Sequence, residues 1–195
     1  SYGGVSLPAH RSTLERHPSL ECRFKADTFA GRIGLVSKTE NSGYGIFISD
    51  GKPDFSVNLD GEYLSATASS SVLKTGQWHT LAGIYDGREA RLYLDGKLIA
   101  SALGNGKLKD NRLPMMIGAD VDQQGQPTSF FNGLIDYVYL TPKALYSGEA
   151  SVAIKDRKEA IIDLQLNENI GSWHPDASGS KAHAISIGGF TVETI

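Results

Sequence analysis

The chain has 195 residues, 40% of them hydrophobic and 21% charged, with 22 glycines and a single cysteine. That is one domain's length, enough to bury roughly 70% of the unfolded surface without metal or disulfide staples. A formal net charge of −3 argues against a nucleic-acid binder, which needs a basic field to displace counterions from phosphates. No apolar run nears the ~18 residues of a membrane span.

Taken in chain order, the elements read as strands. Cys22 lies in Leu20–Ala26, where every second residue is small or apolar, so its thiol packs as a small buried hydrophobe. Phe55, Val57 and Leu59 alternate with Ser56, Asn58 and Asp60, and Leu92 and Leu94 alternate with Arg91, Tyr93 and Asp95. Further on, Leu134, Asp136, Val138 and Leu140 share one face of a strand, with Ile135, Tyr137 and Tyr139 on the other. Ile162, Leu164 and Leu166, then Ile185 and Ile187, continue the period of two that marks half-buried strands. Asp-Gly pairs at 50–51, 60–61, 86–87 and 95–96 mark hairpins, whose two-residue turns need positive φ. Only Thr141–Leu145 and the charged stretch 149–160 have a helical pattern. The loops 104–112 and 119–129 are polar, and the second reads as mobile. The expected architecture is all-β: a two-sheet antiparallel jelly-roll sandwich.

Motifs for several chemistries are missing. No phosphate-binding loop, nucleophile elbow or zinc-binding His-Glu-x-x-His helix occurs, and His10, His17, His79, His174 and His183 are scattered. Sandwich glycosidases need two carboxylates facing one cleft. The nearest approach here is Asp54 with Asp60, while Glu168 and Asp176 flank a loop, so no catalytic pair is legible.

The run Gly76–Gly87, followed by Arg91–Gly96, resembles the central hairpin of laminin-G-like domains of the concanavalin A-like lectin and glucanase superfamily. Ile117-Gly118, Phe131–Leu140 and Ala144-Leu145 are similar to that family's last strand and short helix. The family usually opens on a strand, an acidic residue and an Asp-x-Ser-Gly loop. Here that pattern comes last, as Leu164–Glu168, Asp176–Gly179 and Ala182–Ile185. Either the domain is circularly permuted or the tail begins a second copy; two strand patterns left unpaired would be unstable, which favours permutation within one domain spanning 1–195. Trp78, opening a strand after a turn, is expected to plug the end of the sandwich.

The resemblance implies a non-catalytic carbohydrate-binding module, an accessory domain of a secreted, extracellular or periplasmic glycan-degrading enzyme such as a glycoside hydrolase. A structural or protein-interaction module bracing a neighbouring domain is the alternative, and a laminarinase- or lyase-like enzyme the third reading. The expected partners are a glycan and a neighbouring domain. Glycan contacts are expected from Tyr44, Asn58, Asp60, Tyr63, Asp120, Asp122 and Gln123, whose amides, carboxylates and rings suit sugar hydroxyls and apolar sugar faces. Asp136 falls on an apolar face, and a carboxylate there needs donors or a cation. With Glu168, Asp176 and Gly179 it forms an expected oxygen shell for a structural Ca²⁺, an ion that related sandwiches carry.

Overall fold

The computed structural model describes residues 3–7, 17–144, 160–166 and 173–188. From the N-terminus run β1 (Gly3–Leu7), β2 (Ser19–Ala26), β3 (Arg32–Lys38) and β4 (Tyr44–Ser49). Next come β5 (Lys52–Leu59), β6 (Glu62–Thr67), β7 (Trp78–Tyr85), β8 (Glu89–Leu94) and β9 (Lys97–Leu103). Then follow β10 (Met115–Ile117), the small hairpin of β11 (Asp120–Val121) and β12 (Pro127–Thr128), and β13 (Gly133–Thr141). The tail supplies β14 (Ile162–Gln165), β15 (Trp173–His174) and β16 (Ala184–Gly188).

All ladders are antiparallel. An eight-stranded sheet has the order β15-β16-β1-β10-β3-β4-β5-β6, and a six-stranded sheet the order β14-β13-β2-β7-β8-β9. The tail enters both: β14 pairs with β13, and β16 lies beside β1 with Gly3 opposite Gly188. Between the sheets lies one core, built from Leu20, Cys22 and Phe24 of β2, Ile46 and Ile48 of β4, Phe55 and Val57 of β5, and Leu81 and Tyr85 of β7. Phe24 meets Phe131 edge-on at 5.8 Å. The sheets interlock at Gly83, where an added Cβ would lie 2.1 Å from the Phe55 ring. Burial holds the Cys22 thiol well above its ordinary pKa, so it is a packed, unreactive group.

The hairpins follow their turn chemistry. Asp50-Gly51, Asp60-Gly61 and Asp95-Gly96 all have positive φ at both residues, as two-residue turns require. Asp86-Gly87 forms a wider turn instead, in which the Asp86 carboxylate accepts the N–H groups of Arg88 and Glu89 and pairs with Arg91 at 2.8 Å.

Several expectations are corrected. The described residues contain no helix, and Pro142–Ala144 are irregular; Leu145 and 149–159 lie outside the described residues. The loop 119–129 is a hairpin pinned to β3. Trp78 does not plug the core: its neighbour His79 turns inward, and the Trp78 ring lies half-buried on the outer face under Arg23 (4.5 Å) and Lys25 (5.5 Å). No described helix is long and apolar enough to cross a membrane.

Candidate functional site

β5 and β6 turn one polar row outward because their alternate residues Phe55, Val57, Leu64 and Ala66 fill or flank the core. Register sets Asp54 opposite Thr67, Ser56 opposite Ser65 and Asn58 opposite Tyr63 on that outer side. Tyr63 is 43% exposed. Its hydroxyl donates to the Ser42 carbonyl at 3.0 Å and accepts the Ser42 N–H at 3.3 Å, so the ring is tethered before any ligand arrives. Burial, with the nearby charges of Glu40 and Asp120, pushes the phenol up from its ordinary range.

Beside Tyr63 runs a relay of hydroxyls. Ser56 Oγ donates to Asp54 Oδ1 at 2.8 Å, which uses its only proton, so Ser65 must be the donor across their 2.7 Å contact. Ser65 is exposed and keeps acceptor capacity towards solvent. Burial pushes the half-buried Asp54 carboxyl up from the usual carboxylate range, opposed by the Ser56 bond and the charge of Arg32. Among the described residues Ser56 is the one side-chain donor to Asp54.

The other flank is Arg32 and Asp120. The Arg32 guanidinium sits 4.1 Å over the Phe47 ring and 3.2 Å from Asp120 Oδ2, while Thr39 Oγ1 donates to Asp120 Oδ1 at 2.7 Å. β11 lies directly on β3 because residue 34 is glycine; a Cβ there would meet the Asp120 nitrogen at 2.4 Å.

The structure divides the expected glycan contacts. Tyr63 and Asp120 share this face. Asn58 is in the same row but fully buried, with its Oδ1 accepting the Gly61 N–H. Asp60 sits at the hairpin tip and accepts the Lys107 N–H. Asp122 shapes the β11–β12 turn by accepting the N–H groups of Gln124 and Gln126, and Gln123 is exposed beside it. Tyr44 is only 1% exposed, because it belongs to the inward row with Ile46 and Ile48; it is a core residue and no ligand contact. Sequence reasoning misses Arg32, Ser56 and Ser65 and weighs Asp54 only as a catalytic carboxylate. The signal for three of them was the polar alternation Asp54-Ser56-Asn58 facing Tyr63-Ser65-Thr67 across the Asp60-Gly61 turn.

Two of the expected Ca²⁺ ligands are already taken by protein donors. A bulge between Ile135 and Tyr137 flips the phase of β13, so Asp136 faces outward and pairs with Arg23 at 2.5 Å. Asp176 is buried but accepts four bonds, from the N–H groups of Asp163, Ser178 and Ala182 and the hydroxyl of Ser178, while the single proton of Ser180 goes to the Ile161 carbonyl. These donors hold its carboxyl below the usual range despite burial, and they leave no lone pair for a metal. Gly179 is exposed in the turn, and Glu168 lies outside the described residues. Among the described residues no three His, Cys, Asp or Glu side chains cluster as metal ligands would.

The Asp–His pair in the described chain is structural in its bonding. His79 Nδ1 lies 3.0 Å from Asp95 Oδ2, but its Nε2 accepts the Lys74 N–H at 3.1 Å, so no basic nitrogen is left for a substrate.

Comparison with known proteins gives a consistent picture. A family profile described as the concanavalin A-like lectin/glucanases superfamily matches residues 1–151. A search of curated proteins gives no match. Among solved structures, a Bacteroides ovatus protein described as carbohydrate binding is 15% identical with a TM-score of 0.75, covering 100% of this chain and 58% of its own. The CBM40 of the Ruminococcus gnavus IT-sialidase, solved with α2,3-sialyllactose, is 15% identical with a TM-score of 0.57, over 75% of this chain and 90% of that one. Mouse laminin α1 LG4-5 is 20% identical with a TM-score of 0.54, over 81% of this chain and 45% of that one. The chain thus spans little more than half the B. ovatus protein and under half the laminin pair.

Proposed function

This chain belongs to the concanavalin A-like lectin/glucanase superfamily, and from that premise we propose that it is a non-catalytic carbohydrate-binding module whose glycan lies on the β4–β6 face. One observation carries the reading: an exposed, tethered Tyr63 ring stands beside two oxygens with acceptor capacity to spare, Asp54, which takes a single side-chain donor, and Ser65. A pyranose supplies what each side needs, an apolar face for the ring and hydroxyl donors for the oxygens. Arg32 and Asp120 close one flank with a donor and an acceptor. The CBM40 of the same fold, solved with α2,3-sialyllactose, supports this reading. In it, the module is an accessory domain that holds a secreted glycan-degrading enzyme on its substrate.

Profiling the purified chain on immobilised glycans, followed by titration calorimetry with a soluble hit, tests the proposal. Tyr63→Ala is expected to weaken binding about 10-fold, the loss of one stacking contact. Asp120→Ala should also weaken it, with both variants still folded by thermal melting. A chain that binds no glycan, or whose affinity neither variant changes, refutes it.

A further inference from the structure

The outer face of the eight-stranded sheet has a second end. Following register from strand to strand, one row of outward residues crosses the entire sheet: Trp173, Ile185, Ser6, Met116, Ser37, Gly45, Ser56 and Ser65. It finishes beside Tyr63 at the β6 edge and starts with Trp173 at the β15 edge. Its middle is covered. Ser37 Oγ donates to the Ala119 carbonyl, and Met116 packs under Ala119 and Val121, so the β11 segment forms a ridge between two open ends.

At the β15 end Trp173 is 46% exposed and Ile185, directly opposite it, 56% exposed. The His183 ring lies 4.8 Å from Trp173 at 48°. His183 is set in place by the tail loop: its Nδ1 accepts the Asp176 N–H at 3.1 Å, so the neutral ring carries its proton on Nε2 as a donor. The same Asp176 gathers Ser178 and Ala182 around its carboxylate, which rigidifies the loop that presents the imidazole. The Asp-x-Ser-Gly motif therefore builds a platform: a tryptophan face, an aliphatic neighbour and a fixed imidazole donor.

We infer that Trp173, Ile185 and His183 form a second carbohydrate platform, independent of Tyr63, which makes the chain bivalent for a long polysaccharide. The patch offers on the order of 200 Å² of apolar surface. A stable protein interface buries about 800 Å² per partner, so the patch formed by the described residues is sized for one or two sugar rings. Seven inter-strand spacings separate the two ends, at most about 34 Å, so a short oligosaccharide engages one end at a time while a polymer reaches both. The platform rests on the carbohydrate-binding reading alone; the bivalence rests on the Tyr63 assignment as well.

The chain has two tryptophans, so Trp78→Phe leaves Trp173 as the reporter. Titrating that variant with laminarin, xylan, mannan and 3′-sialyllactose is expected to shift the Trp173 emission for at least one of them. Trp173→Ala, with its melting temperature unchanged, should weaken binding of that glycan's polymer about 10-fold, and Trp173→Phe should restore part of the loss. Loss of binding in Trp173→Ala with Tyr63→Ala unaffected supports this platform and sinks the Tyr63 assignment. A bound glycan that leaves both the emission and the Trp173→Ala affinity unchanged overturns the platform, while the carbohydrate-binding reading survives through Tyr63. No binding to any of the four by either readout overturns both. A dimer that Trp173→Ala abolishes also overturns it, by making the patch a contact between copies.

Discussion

Asp176 and Asp54 are both drawn out of water by the same sandwich, yet they shift in opposite directions. Asp176, in the tail loop, receives four protein donors, and its carboxyl falls below the usual range. Asp54, on the β5 face, receives one serine hydroxyl, and burial pushes it up. A carboxylate supplied by its own chain is structural; one left short of donors has capacity for a ligand's hydroxyls. The aromatic residues divide the same way. Trp78 is clamped by Arg23 and Lys25 on the six-stranded sheet, whereas Tyr63 keeps an open ring on the eight-stranded one.

Asp176→Ala should cost about 3–5 kcal/mol, because it strands several buried donors at once. Urea unfolding measures it, and a loss below 1 kcal/mol would mean the loop is not held by this carboxylate. Its pH dependence has a fixed sign. A depressed carboxyl contributes stability that is complete above the ordinary carboxylate range and is lost as pH falls through the folded pKa, so wild type should weaken in acid more steeply than Asp176→Ala.

A smaller effect sharpens the contrast between faces. Arg23→Ala removes the partner of Asp136 and one cation over Trp78, both partly exposed, for about 1 kcal/mol of stability. Glycan affinity should not change. An affinity loss matching that of Tyr63→Ala would move the binding face to the other sheet.

The smallest effect concerns Asp54. Its raised carboxyl disfavours the folded state as pH rises through the folded pKa, so Asp54→Asn should alter stability at neutral pH by less than about 1 kcal/mol. Ligand hydroxyls favour the ionised form, so wild-type affinity should fall as pH drops into the range just above ordinary carboxylates. In Asp54→Asn that slope should vanish, and titration at several pH values reads it directly.

Much of the fold is legible because alternation and Asp-Gly turns are local signals. Asp50, Asp60 and Asp95 adopt the positive φ that their neighbours announce, and Cys22 is buried as its strand pattern requires. What fails is phase. A bulge is invisible to a count by twos, so Asp136 reads as inward and lies outward. Tyr44 reads as a turn-side residue but opens an inward row with Ile46 and Ile48. Of the candidate face, Tyr63 and Asp120 are legible as exposed polar chemistry near turns. Arg32 is not, because its place depends on β3 lying two strands from β5 and on Gly34 admitting β11 above it.

The pairing of Gly3 with Gly188 has a mechanical meaning. β1 and β16 run antiparallel from that point, so a load applied across residues 3 and 188 pulls on one ladder from its open end. Such a ladder parts one hydrogen-bonded pair at a time, like a zipper, and never bears the force along all its bonds together. A polymer held on the proposed β4–β6 face would pull elsewhere, on strands in the middle and far side of the sheet. Loaded across that seam, the domain would begin to open at its tail.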